Sequence, residues 1–239
     1  MHPSRIETDL DTWLITRDVS FREFRKRIEE KYGIEDNDEK FPRYKDYVSS
    51  ILMVDALEKA LDSTGIEFHE DLSLLDVGAG DWHYANALYD FFSQRNKGKV
   101  HMTRIDALKK HQRTAGSLIQ GIDAEYKVQD VLKIDDSEKY GVVFMAHMCV
   151  SSHHFRQFGL PPYDIKSVMG KSFELVKEGG LFIGFAYAAV LADEGGVFYY
   201  LPKENIIYDE LYKSEFGRVT DKLSAYYTFD YNHLILAKK

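Results

Sequence analysis

The segment Leu72-Ser73-Leu74-Leu75-Asp76-Val77-Gly78-Ala79-Gly80-Asp81 constrains this chain more than any other. An apolar run of strand length ends in an acid and enters a turn with glycines spaced by one residue, after which a helix opens. Glycines at 78 and 80 carry no Cβ, so a ligand can approach bare backbone there. In open α/β sheets ligands bind beyond the carboxyl ends of the strands. Two spaced glycines alone also mark ordinary tight turns. The strand before them and the helix after them make the pattern one of a binding crevice.

From Leu72 onward, short apolar runs alternate with longer amphipathic ones, the pattern of βαβ units and a mostly parallel sheet. The sequence predicts strands near Leu72 to Val77, Val100 to Ile105, Glu125 to Val128, Val142 to Ala146 and Leu181 to Tyr187, and a helix over Ile165 to Val176. After Pro202, Ile206, Ile207 and Leu211 share a face in a helical reading. Two β-like runs follow, Leu223 to Phe229 and His233 to Ala237. The connection between them is too short for a crossover helix, so they are expected to pair as an antiparallel hairpin.

Before Leu72 the pattern is helical. Ser20 and Glu23 read as a capping box for a helix carrying Phe21, Phe24, Ile28 and Tyr32 on one face. Tyr47, Ile51, Val54, Leu57 and Leu61 form a second stripe that stops at Gly65. The chain of 239 residues accommodates one large domain with an appendage. We therefore divide it into a helical cap over residues 1–70 and a main domain over 71–239. With 44% apolar and 29% charged residues, a buried core is expected and global disorder is excluded. A net charge of −8 gives no general attraction to nucleic acid. Cys149 is the only cysteine, which forbids an intramolecular disulfide and any multi-cysteine zinc cage. No window is apolar for long enough to span a membrane, and Met1 to Asp9 lacks the apolar centre of a secretory signal, so a cytoplasmic protein is expected.

The order of these motifs resembles the class I S-adenosylmethionine-dependent methyltransferases. Asp76, Gly78 and Gly80 match the acid and the first two glycines of that family's first motif, and Trp82 stands where the third glycine would be. The second strand ends in Asp106, where the family has a carboxylate for the ribose hydroxyls. The third leads to Asp130, which looks like the adenine-contacting acid, with the backbone of Val131 beside it. Leu175 to Ile183 resembles the family's "LKPGG" and following strand, with Glu178 in place of proline. The resemblance covers Leu72 to Lys239. It implies a Rossmann-like, doubly wound α/β fold with a seven-stranded sheet, mostly parallel with a C-terminal antiparallel hairpin. It does not cover residues 1–70, where the family often has substrate-covering helices, and that region is read as a helical cap and substrate lid. It also implies S-adenosylmethionine as cofactor and a methyltransferase activity. The cofactor-binding set is then Asp76, Gly78, Gly80, Asp106, Asp130 and Val131. A nicotinamide dinucleotide is the rival ligand, but its fingerprint wants glycine or alanine where this chain has His83.

The family often places substrate-facing residues after the fourth strand, here Ala146 to Phe155. His147 is the candidate base or acceptor contact, since imidazole titrates near neutrality. His153 and His154 are read as loop polar residues, and no metal site is expected, because spacing supplies no further ligands. Cys149 lacks the neighbouring proline of carbon-methylating enzymes and is read as inert. Pro161-Pro162-Tyr163 lies too far from the strand end to act as an amino-group methylation motif. Tyr84, Tyr187, Tyr199 and Tyr200 are read as core or rim aromatics, while the basic residues around Arg25 and Lys109 fit phosphate contacts and solvated helix faces equally well. The expected acceptor is a small molecule. RNA or protein acceptors, and a cofactor-binding protein without catalysis, are the alternatives.

Overall fold

The structure is a computed structural model and describes residues 26–27, 30–31, 44–80, 84–109, 112–113, 119, 121–146, 165–187, 201–213 and 231–239. Its centre is a seven-stranded sheet in the order β3-β2-β1-β4-β5-β7-β6. The strands are β1 (Leu72–Val77), β2 (Val100–Asp106), β3 (Ala124–Val128), β4 (Tyr140–Ala146), β5 (Val176–Tyr187), β6 (Ile206–Lys213) and β7 (Tyr231–Lys238). The first five run parallel, and β7 lies antiparallel between β5 and β6. The strand order reverses between β1 and β4, the switch point at which sheets of this kind open a crevice.

Helix α1 (Tyr44–Thr64) and helix α2 (Tyr84–Arg95) cover one face, and helix α3 (Ile165–Glu174) covers the other. The expected stripe on α1 is confirmed where it is described, with Val54, Leu57 and Leu61 buried against α2 and the sheet. Gly65, in the left-handed region at φ 64°, follows the end of the helix. The hydroxyls of Ser63 and Thr64 donate to Ala60 O, and Thr64 Oγ1 also reaches Leu61 O at 3.1 Å, one of the carbonyls of the last turn. From Met53 on, the segment expected to be a cap thus shares its core with the sheet. The capping box at Ser20 and most of the first expected helix lie outside the described residues.

Strands β1 and β4 are buried almost throughout, as a central parallel sheet covered on both sides requires. The glycine pair after α3 has a steric cause. Gly179 has φ 75°, and a Cβ on Gly180 would fall 2.8 Å from Gly141 O. The pair sits where the register between β4 and β5 shifts.

Two expectations are corrected. The chain after Pro202 makes only a 3₁₀ turn, Lys203–Asn205, and then strand β6, not a helix. Three apolar positions in so short a run fit either period, and the β-branched Ile206 and Ile207 with Tyr208 and Tyr212 suit a pleated edge better. Consequently the antiparallel partners of β7 are β5 and β6, not a strand over Leu223 to Phe229. That run lies outside the described residues, within the connection from β6 to β7.

Helix α3 buries Val168, Met169 and Ser172. Ser172 Oγ has no hydrogen-bond partner among the described residues. A buried hydroxyl without a partner keeps its desolvation cost, so Ser172→Ala is expected to stabilise the fold by about 1 kcal/mol. Urea unfolding checks this, and a lower midpoint would contradict it.

Candidate functional site

The site residues expected from sequence gather at the carboxyl ends of β1, β2 and β3, which are neighbours in the sheet. Asp76 lies on β1, and Gly78 and Gly80 follow that strand in the left-handed region at φ 69° and 51°. Asp106 is the last residue of β2. Asp130 and Val131 begin a short 3₁₀ turn after β3.

Asp106 is the hub. Its Oδ2 accepts from Gly80 N at 2.9 Å and its Oδ1 from Leu108 N at 2.7 Å. Its backbone carbonyl accepts from Gln129 N at 2.9 Å, tying the end of β3 to the end of β2. An ionised carboxylate has about four acceptor positions, so the two side-chain bonds leave room for donors on a ligand. The residue is half-buried and lies at the carboxyl end of β2. Asp130 Oδ1 accepts from Leu132 N at 3.0 Å and caps the turn that buries Val131. Val128, paired in register with Asp106, leaves an apolar surface 40% exposed beside these acids.

Asp76 is placed differently from the other two acids. It is 0% exposed, and both its oxygens are engaged inside the protein. Tyr84 Oη donates to Oδ1 and Arg104 Nε to Oδ2, each at 2.9 Å. Arg104 Nη2 reaches on to Ala79 O at 3.1 Å, and its guanidinium lies 5.5 Å from the Tyr84 ring centroid. Burial pushes the Asp76 carboxyl above its ordinary range, and the Arg104 charge and hydrogen bond draw it back. Burial and then the Asp76 charge raise the Tyr84 phenol well above its usual value, so it remains a donor. Both oxygens of Asp76 thus accept from protein donors, and it meets the glycine turn through Arg104.

Arg104 is the residue the motif reading missed, and the alternation of β2 contained its signal. Val100, Met102, Arg104 and Asp106 share one face of the strand, and the first two are buried in the core with α1 and α2. A guanidinium on that face needs an acid, and the parallel register puts Asp76 directly beside it. Tyr84, read as a core or rim aromatic, is a core residue packed edge-to-face on Phe144 at 5.7 Å. His147, Trp82, His83, Cys149, His153 and His154 lie outside the described residues. Among the described residues no group of acidic, histidine or cysteine side chains has the arrangement of a metal site. No helix there is long and apolar enough to cross a membrane.

No protein-family model matches the chain, and no curated protein matches its sequence. Solved structures do match in shape. The N-methyltransferase NodS from Bradyrhizobium japonicum WM9, in complex with S-adenosyl-L-homocysteine, superposes with a TM-score of 0.53 at 12% identity, over 88% of this chain and 95% of its own. The geranyl diphosphate C-methyltransferase from Streptomyces coelicolor A3(2), solved with Mg2+, geranyl diphosphate and S-adenosyl-L-homocysteine, gives 0.53 at 11% identity, over 85% and 86%. An S-adenosylmethionine-dependent methyltransferase from Mesorhizobium loti gives 0.50 at 13% identity, over 78% and 100%. With its strand order, its antiparallel β7 and its glycine turn after β1, the chain has the fold of the class I S-adenosylmethionine-dependent methyltransferases.

Proposed function

We propose that this protein is an S-adenosylmethionine-dependent methyltransferase acting on a small-molecule acceptor. The observation that carries the reading is Asp106, a half-buried carboxylate with open acceptor positions, held by Gly80 N and Leu108 N at the end of β2. The residues present suit an adenosyl group. A carboxylate can accept from both hydroxyls of a ribose at once, a task for which amides and hydroxyls are poorer. Val128 supplies an apolar surface beside it, and Asp130 with the backbone of Val131 is assigned to the adenine edge. Gly78 and Gly80 keep side chains out of the approach to β1.

The cofactor supplies a methyl group on an activated sulfonium, so the protein's task is to align the acceptor and to take a proton where the acceptor atom carries one. We assign the proton to His147, which follows β4 directly in the chain, β4 being the strand across the switch point from β1 and β2. We assign residues 1–70 to covering the acceptor, apart from the stretch of α1 from Met53 on, which is built into the core. The net charge of −8 favours a small acceptor over a polyanion.

Titration calorimetry with S-adenosylmethionine, S-adenosylhomocysteine and NAD tests the cofactor. Binding of the first two in the micromolar range and none of NAD is expected, and the opposite selectivity would overturn the reading. Transfer of labelled methyl to cell extract then tests the acceptor. A nuclease-insensitive product of low mass is expected. A nuclease-sensitive product would make the acceptor RNA, and binding with no transfer would make the protein a non-catalytic cofactor binder.

A further inference from the structure

Arg104 heads the fully buried side chains by size, yet it touches the glycine turn and not the crevice. Its guanidinium joins two groups that belong to different parts of the site, the Asp76 carboxylate on β1 and the carbonyl of Ala79 between the two left-handed glycines. The peptide that Ala79 O begins ends at Gly80 N, and Gly80 N donates to Asp106 Oδ2. A peptide unit is rigid and turns as one plate. Arg104 grips that plate by its oxygen, and Asp106 holds it by its N–H. Ala79 N, on the preceding peptide, is in turn bound to Ile105 O at 3.0 Å. Rotation of the Ala79–Gly80 plate would withdraw the N–H that holds one oxygen of Asp106.

We propose that Arg104 is a positioning residue for ligand recognition, setting the orientation of the Asp106 carboxylate through the Ala79–Gly80 peptide. This rests on the reading of Asp106 as the ribose-binding acid. The planar fork of arginine is required because its Nε and Nη2 serve two acceptors at once. A lysine ammonium is a compact charge on a flexible stem and can satisfy Asp76 without also fixing Ala79 O.

The test is a double-mutant cycle of Arg104→Lys with Asp106→Asn, read as the Kd of S-adenosylhomocysteine by calorimetry, with thermal unfolding beside it. In the wild-type background Arg104→Lys is expected to weaken binding about tenfold, the loss of one well-made contact. In the Asp106→Asn background the same change is expected to cost less than about twofold, because the group it positions has already been altered. A core substitution on the opposite face, Val168→Ala, is expected to lower the unfolding temperature while leaving Kd within about twofold. Equal weakening by Arg104→Lys in both backgrounds, or none in either, would overturn the proposal while leaving the cofactor reading intact. So would a Val168→Ala protein that binds as poorly as Arg104→Lys. A wild-type protein that does not bind S-adenosylhomocysteine would overturn the cofactor reading itself and this inference with it. Should Arg104→Lys fail to fold, the uncharged pair Arg104→Met with Asp76→Asn takes its place in the cycle with the same expectations.

Discussion

Asp106→Ala is expected to weaken S-adenosylhomocysteine binding by at least about 100-fold. Two charge-assisted hydrogen bonds to a ribose, at roughly 1.5 to 3 kcal/mol each, are lost together, and each 1.4 kcal/mol is a factor of ten. Alanine also releases Gly80 N and Leu108 N from the carboxylate, so the turn loses an anchor as well as the ligand losing its acceptors. Asp106→Asn separates the two losses. An amide keeps one oxygen as acceptor but presents a donor where the carboxylate had its second acceptor, so a smaller loss of about tenfold is expected. Calorimetry on all three proteins measures this. An alanine variant that binds within a few-fold of wild type would remove Asp106 from the ligand site and leave the fold without its assigned ribose contact.

The parts of this site that were legible in the sequence are those written in local pattern. The β1 run, the glycine turn and the acid at the end of β2 are contiguous motifs, and they fall at the carboxyl ends of adjacent strands, as expected. Pairing across the sheet is written only in register, which a motif scan does not read. Asp76 matched a cofactor motif by position, but its neighbour across the ladder is Arg104, and that pairing turns the carboxylate inward. The same weakness explains β6. Ile206, Ile207 and Leu211 fit a helical face and a pleated strand equally well, and what decides is the unpaired edge of β7, formed by residues much later in the chain.

The largest effect on stability is expected at Arg104. Arg104→Met leaves the Asp76 carboxylate buried with only Tyr84 as partner, and breaking one side of a buried ion pair costs roughly 3 to 5 kcal/mol. The deficit should depend on pH with a definite sign. Burial already pushes the Asp76 carboxyl above the ordinary value of 3.8, and Arg104 is the main force opposing that rise. Without the guanidinium the folded-state pKa rises further, while the unfolded value stays ordinary. A group raised in this way favours the fold most below its unfolded pKa, and that advantage disappears as pH climbs through the folded one. Arg104→Met should therefore be closest to wild type near pH 4 and fall further behind it toward pH 8. Replacing the whole cluster by apolar residues, Arg104→Met with Asp76→Leu and Tyr84→Phe, removes the stranded charge and should recover most of the loss and abolish the pH dependence. Urea unfolding across this range decides the matter. A single variant as stable as wild type at pH 8, or one that loses more stability in acid than at neutrality, would mean that Asp76 does not depend on Arg104 for its charge.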